Sequence, residues 1–399
     1  MTKSRPILIA GSGIGGASAA LALLKKGFDV EVYEQAPALT EVGAGVQISP
    51  NGARSLNALG VFDRLNALSC KPEKKQFRLW NTGRSWPMFD LGEAAMTEYG
   101  FPYLTVYRPD LLDVLVDGVR AIKPDAVHLG KRATGFTQDE DGVTLTLDDG
   151  STVRGSALIG ADGVRSQIRE QMWGGVKPAF SGMITWRAVI PMELLPEHLQ
   201  AMVGNTWIGP GGHVVTYPLR NAKLLNFVAT IDRQDWQEEG WNIEGTREEC
   251  SNDFKGWHPD IHTIINCAPT LLKWALMVRD PMPAWTQDRV TLMGDACHPT
   301  LPFLAQGAVM SIEDGVVLGR CLEAENGDPK AGFRRYEAAR IERTSKMVLG
   351  ARDNTDRFHS SELGTEEGAQ TYLEREWGRA PIHDRYHWLY VYKSDEVAI

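Results

Sequence analysis

Apolar and polar positions along this chain follow two periods, and the places where the period changes mark its elements. "PILIA" (6–10) is an unbroken apolar run of buried-strand length. "ASAALALLKKG" (17–27) forms helix and stops at Gly27, a natural C-terminal cap. "DVEVYE" (29–34) alternates and predicts a second strand ending in Glu34. "TVYRPDLLDVLVDGVRAI" predicts a strand running into a helix with Arg108 at the junction. "STVRGSALIGADGVRSQIRE" predicts a strand pair turning at Asp149-Gly150, then an apolar strand ending at Asp162-Gly163. A helix carrying Arg165, Ser166 and Arg169 follows. In "DRVTLMGDACHPTLPFLAQGAVMSIEDGVVL" a strand over 290–293 ends at Gly294-Asp295, and a helix starts near Gln306-Gly307.

Residues 179–283 have a different texture. "SGMITWRAVIPM", "GNTWIGPGG", "HVVTYPLR" and "KLLNFVATID" are short alternating runs separated by Gly, Pro and Asn, which predicts an antiparallel sheet. Period-two alternation puts His213, Val215 and Tyr217 on one strand face. Beyond it, "CSNDFKGWHPDIHTIINCA" predicts helix, 331–350 predicts a long amphipathic helix, and "YHWLYVYKS" an aromatic tail.

Composition narrows the classes. With 399 residues the chain can bury a large core and hold more than one lobe. The net charge of -9 comes with mixed signs and no basic stripe, which argues against a nucleic-acid partner. Beyond the N-terminus no apolar run reaches the roughly 18 residues of a membrane span. Five cysteines, an odd count without a CxxC pair, fit a reduced cytoplasm. Monomer and homodimer both remain open. His258 and His262 have the HxxxH spacing of a metal pair, but Pro259 lies between them and no third ligand is evident, so no metal is expected. His298 is expected to order its loop, and Cys297 to be a buried small residue.

The first 34 residues admit two readings. Lys3, Arg5 and the uncharged run 6–24 resemble an export signal. The glycines argue for another. Gly11, Gly13 and Gly16 spell GxGxxG between a strand and a helix, with Gly15 in the same loop. Gly11 permits the tight turn, Gly13 lets a pyrophosphate approach the backbone, and Gly16 lets helix and strand pack closely. The helix N-terminus offers N–H groups and partial positive charge to phosphates. Glu34 falls where a carboxylate takes ribose hydroxyls. This predicts a dinucleotide cradle that stays in the fold.

Together with the mid-chain Asp-Gly followed by Arg-Ser and the late Gly-Asp, the chain resembles the flavoprotein aromatic hydroxylases, the single-component FAD monooxygenases. The stretches "EVGAGVQISPNGARSLNALGV" and "GDACHPTLPFLAQGAVMSIEDG" are most similar to the salicylate hydroxylase, 3-hydroxybenzoate 6-hydroxylase and 6-hydroxynicotinate 3-monooxygenase types. The resemblance implies an α/β fold in which a Rossmann-like FAD domain (1–75, 100–178, 284–330) is interleaved with an antiparallel-sheet substrate domain (76–99, 179–283) and followed by C-terminal helices (331–399). It implies FAD contacts from Arg108 on the ribityl–pyrophosphate side, Ala133 near the adenine, Asp162, Asp295, and the helix start at Gly307 and Ala308. In the pocket it implies Tyr217 and His213 as the polarising pair, with Gln47, Tyr103, Arg187 and Pro302 around the substrate. Gln47 stands where 6-hydroxynicotinate enzymes place a catalytic histidine, which counts against that substrate. The implied reaction uses NADH or NADPH as transient donor and O2, through a C4a-hydroperoxyflavin, to hydroxylate a hydroxylated aromatic acid. An FAD oxidase, an NAD-linked dehydrogenase and a non-catalytic flavin binder are the rival readings.

Overall fold

The computed structural model describes residues 5–39, 44–175, 177–235 and 243–399. Lys3 and the opening "EVG" of the second quoted motif lie outside them.

The strand Ile7–Ala10 is wholly buried, which fits its lack of polar positions. It sits inside a six-stranded sheet ordered Thr286–Gln287, Val290–Leu292, Ala157–Gly160, Ile7–Ala10, Val30–Tyr33, Val127–His128. The pairings are parallel except at the Thr286–Gln287 edge. Residues 7–10 are therefore central to the core, as the cradle reading requires and the export reading does not.

Two helices with small-residue faces cover this sheet. Ile14–Lys25 lies against Gly307–Ala324 so closely that a Cβ on Gly315 would come within 2.7 Å of the Ser18 backbone. A Cβ on Gly16 would fall 2.0 Å from the Gly11 carbonyl oxygen, and Gly11 itself has φ +99°. At these two positions glycine is required by space and by backbone conformation.

The second sheet has eight strands, ordered Ile243–Gly245, Leu271–Val278, Ala179–Pro191, Leu224–Asp232, Gly212–Leu219, Gly204–Gly209, Lys74–Leu79, Ser85–Asp90. One face packs on the helices Arg247–Asp253 and Pro259–Cys267 through a core that includes Trp186, Trp207, Phe227, Phe254 and Ile261. The helical stretch expected over "CSNDFKGWHPDIHTIINCA" forms as these two helices. Gly256 takes φ +84°, and the His258 side chain caps the second helix by accepting from Asp260 N at 3.2 Å.

The long C-terminal helix runs Pro329–Phe358, further than the 331–350 predicted, because its later turns find partners in the aromatic core. The aromatic tail begins inside one of the helices expected over 331–399. Arg379–Tyr390 turns back beside Glu366–Trp377 and packs Tyr386 and Tyr390 edge-on against Phe89 and Tyr99. Arg165 precedes its helix rather than riding on it: Ser166 is the cap of Gln167–Trp173, its Oγ accepting from Arg169 N at 2.9 Å.

Candidate active site

A cavity of about 380 Å³ lies between the two sheets. One end is lined by Gly13, Gly15, Arg108, Asp295, Gly307 and Ala308, the other by Gln47, Lys75, Arg187, His213, Tyr217 and Pro302. Residues about 290 positions apart in the chain thus share one space.

The first end is built from chain turns that present backbone. Gly13 has no atom within 4 Å of the place where its Cβ would stand, so its face of the cradle is open. The helix Gly307–Ala324 begins at the cavity with no side chain capping its first turn, leaving N–H donors and the positive end of its dipole toward the space. Asp295 opens to the cavity. Burial raises its pKa, while His298 and Arg108 pull it down. One oxygen of Asp162, Oδ2, accepts from Gln167 N and Ile168 N at the start of the following helix, at 2.8 and 3.2 Å. Its other oxygen, Oδ1, is buried without a hydrogen-bond partner among the described residues. Its neighbours Ala161 and Gly163 line the cavity. Glu34 accepts from Ser12 N at 2.7 Å and Ala36 N at 2.9 Å, which holds its carboxylate against the glycine loop. Open cradle, uncapped helix start, cavity-facing carboxylate and an unsatisfied acceptor form a donor and acceptor set that fits a flavin dinucleotide. Ala133 does not line the cavity; it is a buried residue at the start of the strand Ala133–Asp139.

A dry ionic cluster sets the position of the Asp295 loop. Asp314 takes His298 Nε2 at 2.6 Å, Arg340 Nε at 2.8 Å and Gly294 N at 3.1 Å. Glu313 takes Asn51 Nδ2 at 2.8 Å, Arg343 Nε at 3.0 Å and Arg340. Burial pushes the Asp314 carboxyl up, but His298 and Arg340 outweigh it and hold it at about 2. His298 therefore orders its loop, as its sequence context suggested, and Cys297 is buried beside it.

The second end carries the polar side chains. His213, Val215 and Tyr217 all face the cavity, the alternation expected of their strand. Burial raises the Tyr217 pKa, and a hydrogen bond with Gln47 partly offsets this. Gln47 Oε1 also accepts from Tyr103 Oη at 2.8 Å, so one amide ties two tyrosines. Tyr103 itself is buried behind the wall and borders a second, aromatic cavity. Arg187 is not a surface residue. It is buried, lines the cavity, and lies over the Trp274 ring at 4.9 Å. Pro302 begins the short turn Pro302–Leu304 that brings Phe303 against His213.

Sequence reasoning missed Lys75. In "PEKKQF" it looks like one of several surface lysines, yet alternation on the strand Lys74–Leu79 turns it into the cavity. No ion pair or hydrogen bond reaches its ammonium among the described residues, and burial lowers its pKa to about 8. Also missed were His359 and Asp232, which reach His213 from behind. Away from the cavity, Glu98, His383 and His387 bring three ligand-type atoms within 4.8 Å, with His387 Nδ1 and Glu98 Oε1 at 2.9 Å.

No helix among the described residues is long and apolar enough to cross a membrane. Residues 4–351 match the family model described as FAD binding domain. The chain is 37% identical over 388 residues to 3-hydroxybenzoate 6-hydroxylase of Polaromonas naphthalenivorans, covering 96% of this chain and 95% of that one. It is 38% identical to 6-hydroxynicotinate 3-monooxygenase of Pseudomonas fluorescens, over 89% of this chain and 92% of the relative. Its backbone superposes with a TM-score of 0.82 on Klebsiella pneumoniae HpxO complexed with FAD and uric acid, 28% identical, covering 95% of each chain. A glycine cradle, a cavity-facing aspartate and a helix start converge on one cavity, and whole-chain relatives share the design: this protein belongs to the FAD-binding family of flavoprotein aromatic hydroxylases.

Proposed function

We propose that this protein hydroxylates a hydroxylated aromatic carboxylic acid of salicylate or hydroxybenzoate type, using NAD(P)H and O2. The observation that carries the reading is the pair of cations, Lys75 and Arg187, at the His213–Tyr217 end of the cavity that opens at its other end on Asp295. A half-buried ammonium over the Tyr103 ring, with no counter-charge among the described residues, favours an anionic guest, because a carboxylate restores the interaction that desolvation removed.

In this reading the eight-stranded sheet is the substrate domain and the 1–75, 100–178 and 284–330 segments hold the cofactor. Gly11, Gly13, Gly15, Gly16 and Arg108 would take the pyrophosphate side, Glu34 the ribose, Asp295 the ribityl hydroxyls, and the N–H groups at Gly307 and Ala308 the flavin pyrimidine. Asp162 and Ala133 would serve the same cofactor, Asp162 through its unsatisfied oxygen. Bound FAD supplies hydride acceptance from NAD(P)H and activation of O2. The chain's own residues do the rest. Lys75 and Arg187 anchor the carboxylate, Tyr217 and His213 meet the ring hydroxyl, and Pro302, Phe303 and the Tyr386–Tyr390 wall exclude water. Removing or sharing the hydroxyl proton enriches the ring in electrons where an electrophilic oxygen must add. Gln47, an amide, cannot act as a base; its role is to fix the tyrosine hydroxyls. The free cysteines fit a cytoplasmic setting.

The test is an aerobic assay of purified protein against salicylate, 3-hydroxybenzoate and 6-hydroxynicotinate, with product masses. A yellow protein in which one acid accelerates both NAD(P)H and oxygen consumption and gains one oxygen is expected. A colourless preparation, or donor oxidation that no aromatic acid accelerates, would sink the reading.

A further inference from the structure

Behind His213 runs a continuous chain of hydrogen bonds. His213 Nδ1 meets His359 Nε2 at 2.7 Å, and His359 Nδ1 meets Asp232 Oδ1 at 2.7 Å. The histidine side chains are enclosed, whereas the Asp232 side chain is 51% exposed. The chain therefore begins at the cavity wall and ends in solvent.

Its polarity follows from the inventory of donors and acceptors. An ionised carboxylate only accepts, so Asp232 requires the hydrogen of His359 on Nδ1. With His359 neutral, its bare Nε2 then accepts from His213 Nδ1–H. That leaves the Nε2 of His213 bare, and among the described residues no hydrogen bond engages it. Phe303 and Phe358, the rings packed on His213, carry no charge. Arg233, next to Asp232, is held by Asp235 and Asp253 rather than by the relay. Burial, with His359 beside it, pushes the His213 pKa well down and keeps the ring neutral.

Resting on the aromatic-hydroxylase reading, we propose that His359 and Asp232 form a proton exit that makes His213 the acceptor of the substrate's ring-hydroxyl proton. The substrate O–H bond breaks as an N–H bond forms at His213 Nε2. The Nδ1 proton of His213 passes to His359 Nε2, the Nδ1 proton of His359 passes to Asp232, and Asp232 releases it to water. When the product hydroxyl is re-protonated the protons move the other way, which restores both starting tautomers. Both histidines end neutral and the proton leaves for water, so the one charge gained by the cavity is that of the phenolate, which Lys75 and Arg187 face across the same space. His359 and Asp232 act through His213 and are positioning residues, whereas His213 touches the substrate.

The test uses oxidised holoenzyme, without reductant, and 3-hydroxy-4-nitrobenzoate as a chromophoric phenolic acid. Its bound phenol pKa is read by difference spectroscopy. Wild type should bind the phenolate with a pKa below that of the free compound. His359→Leu should raise the bound pKa by at least one unit, a tenfold loss of ionisation, and shift the pH profile of hydroxylation by the same amount, with FAD content unchanged. Asp232→Asn, at the exposed end, keeps an acceptor but loses the charge; it should give a smaller shift in the same direction, and it serves if the leucine variant fails to fold. Unchanged bound pKa and pH profile in both variants would overturn the relay. If wild type hydroxylates no aromatic acid, the functional reading falls instead, and the two failures are distinguishable.

Discussion

Two polar networks touch the same cavity and are built on opposite plans. The Glu313–Asp314–Arg340 cluster is sealed, with its three side chains at 0% exposure and their charges paired inside the protein. The His213–His359–Asp232 chain is open at both ends, one toward the cavity and one toward water. A sealed network can only hold: it fixes the Asp295 loop and the start of the Gly307–Ala324 helix. An open one can also carry a proton. The contrast shows that burial of charge does not by itself mark chemistry; what matters is whether the chain of partners has an outlet.

The largest expected effect breaks the sealed network. Asp314→Ala takes the carboxylate from buried His298 and leaves buried Arg340 with Glu313 alone, and should cost about 3–5 kcal/mol, with loss of bound flavin. Denaturant midpoints and the flavin-to-protein ratio check this. If the variant is as stable as wild type, the cluster does not hold the loop.

Lys75→Met removes a charged contact of about 1.5–3 kcal/mol, so KM for the aromatic acid should rise roughly 10- to 100-fold, while an uncharged amide analogue should be unaffected. Because burial lowers Lys75 to about 8, acid binding in wild type should weaken as pH rises through that value, as the ammonium loses its proton. In Lys75→Met that inflection should vanish. Steady-state kinetics across pH 6–10, about that value, decide it.

The networks should also separate in pH. His213 has its pKa lowered on folding, so the unfolded chain takes up a proton that the folded chain refuses, and stability falls as pH drops below about 6.5. Asp314 is likewise depressed, but from a carboxylate reference. Its contribution persists above about pH 4 and is lost only as pH falls toward about 2. His213→Phe should flatten the upper window and leave the lower one in place, measured by thermal unfolding across pH. A single unbroken decline in both proteins would show that the two networks do not titrate separately.

The smallest effect expected is that of Tyr217→Phe. Losing one hydrogen bond, worth roughly 0.5–1.5 kcal/mol, should lower hydroxylation per NAD(P)H consumed by a factor of about 2–10 without changing stability measurably. Unchanged coupling would leave the ring hydroxyl to His213 alone.

Much of the fold was legible because local chemistry dictates it. The apolar run before Gly11 and the helix ending near Gly27 are buried as their composition predicts. The alternating runs over 179–232 do form strands, but both of their faces are buried, one against helices and one toward the cavity. Gly11 and Gly16 were legible for the same reason, since the turn and the helix–strand approach leave no room for a side chain. The long helix was read too short, because its last turn is held by Phe358 packing on Phe77, far back in the chain. Lys75 escaped notice because a lysine's address is decided by which face of its strand meets a cavity, and nothing in "PEKKQF" shows that.

By itself the sequence determined the periodicities, the glycine cradle and the strand face that His213 shares with Tyr217, because these depend on neighbours in the chain. Tertiary structure alone decided that Arg187 is buried, that Lys75 stands without a counter-charge among the described residues, and that Asp232 and His359 line up behind His213. Those facts depend on distances between segments more than a hundred residues apart, and a hydrogen bond forms only where folding brings donor and acceptor within about 3 Å.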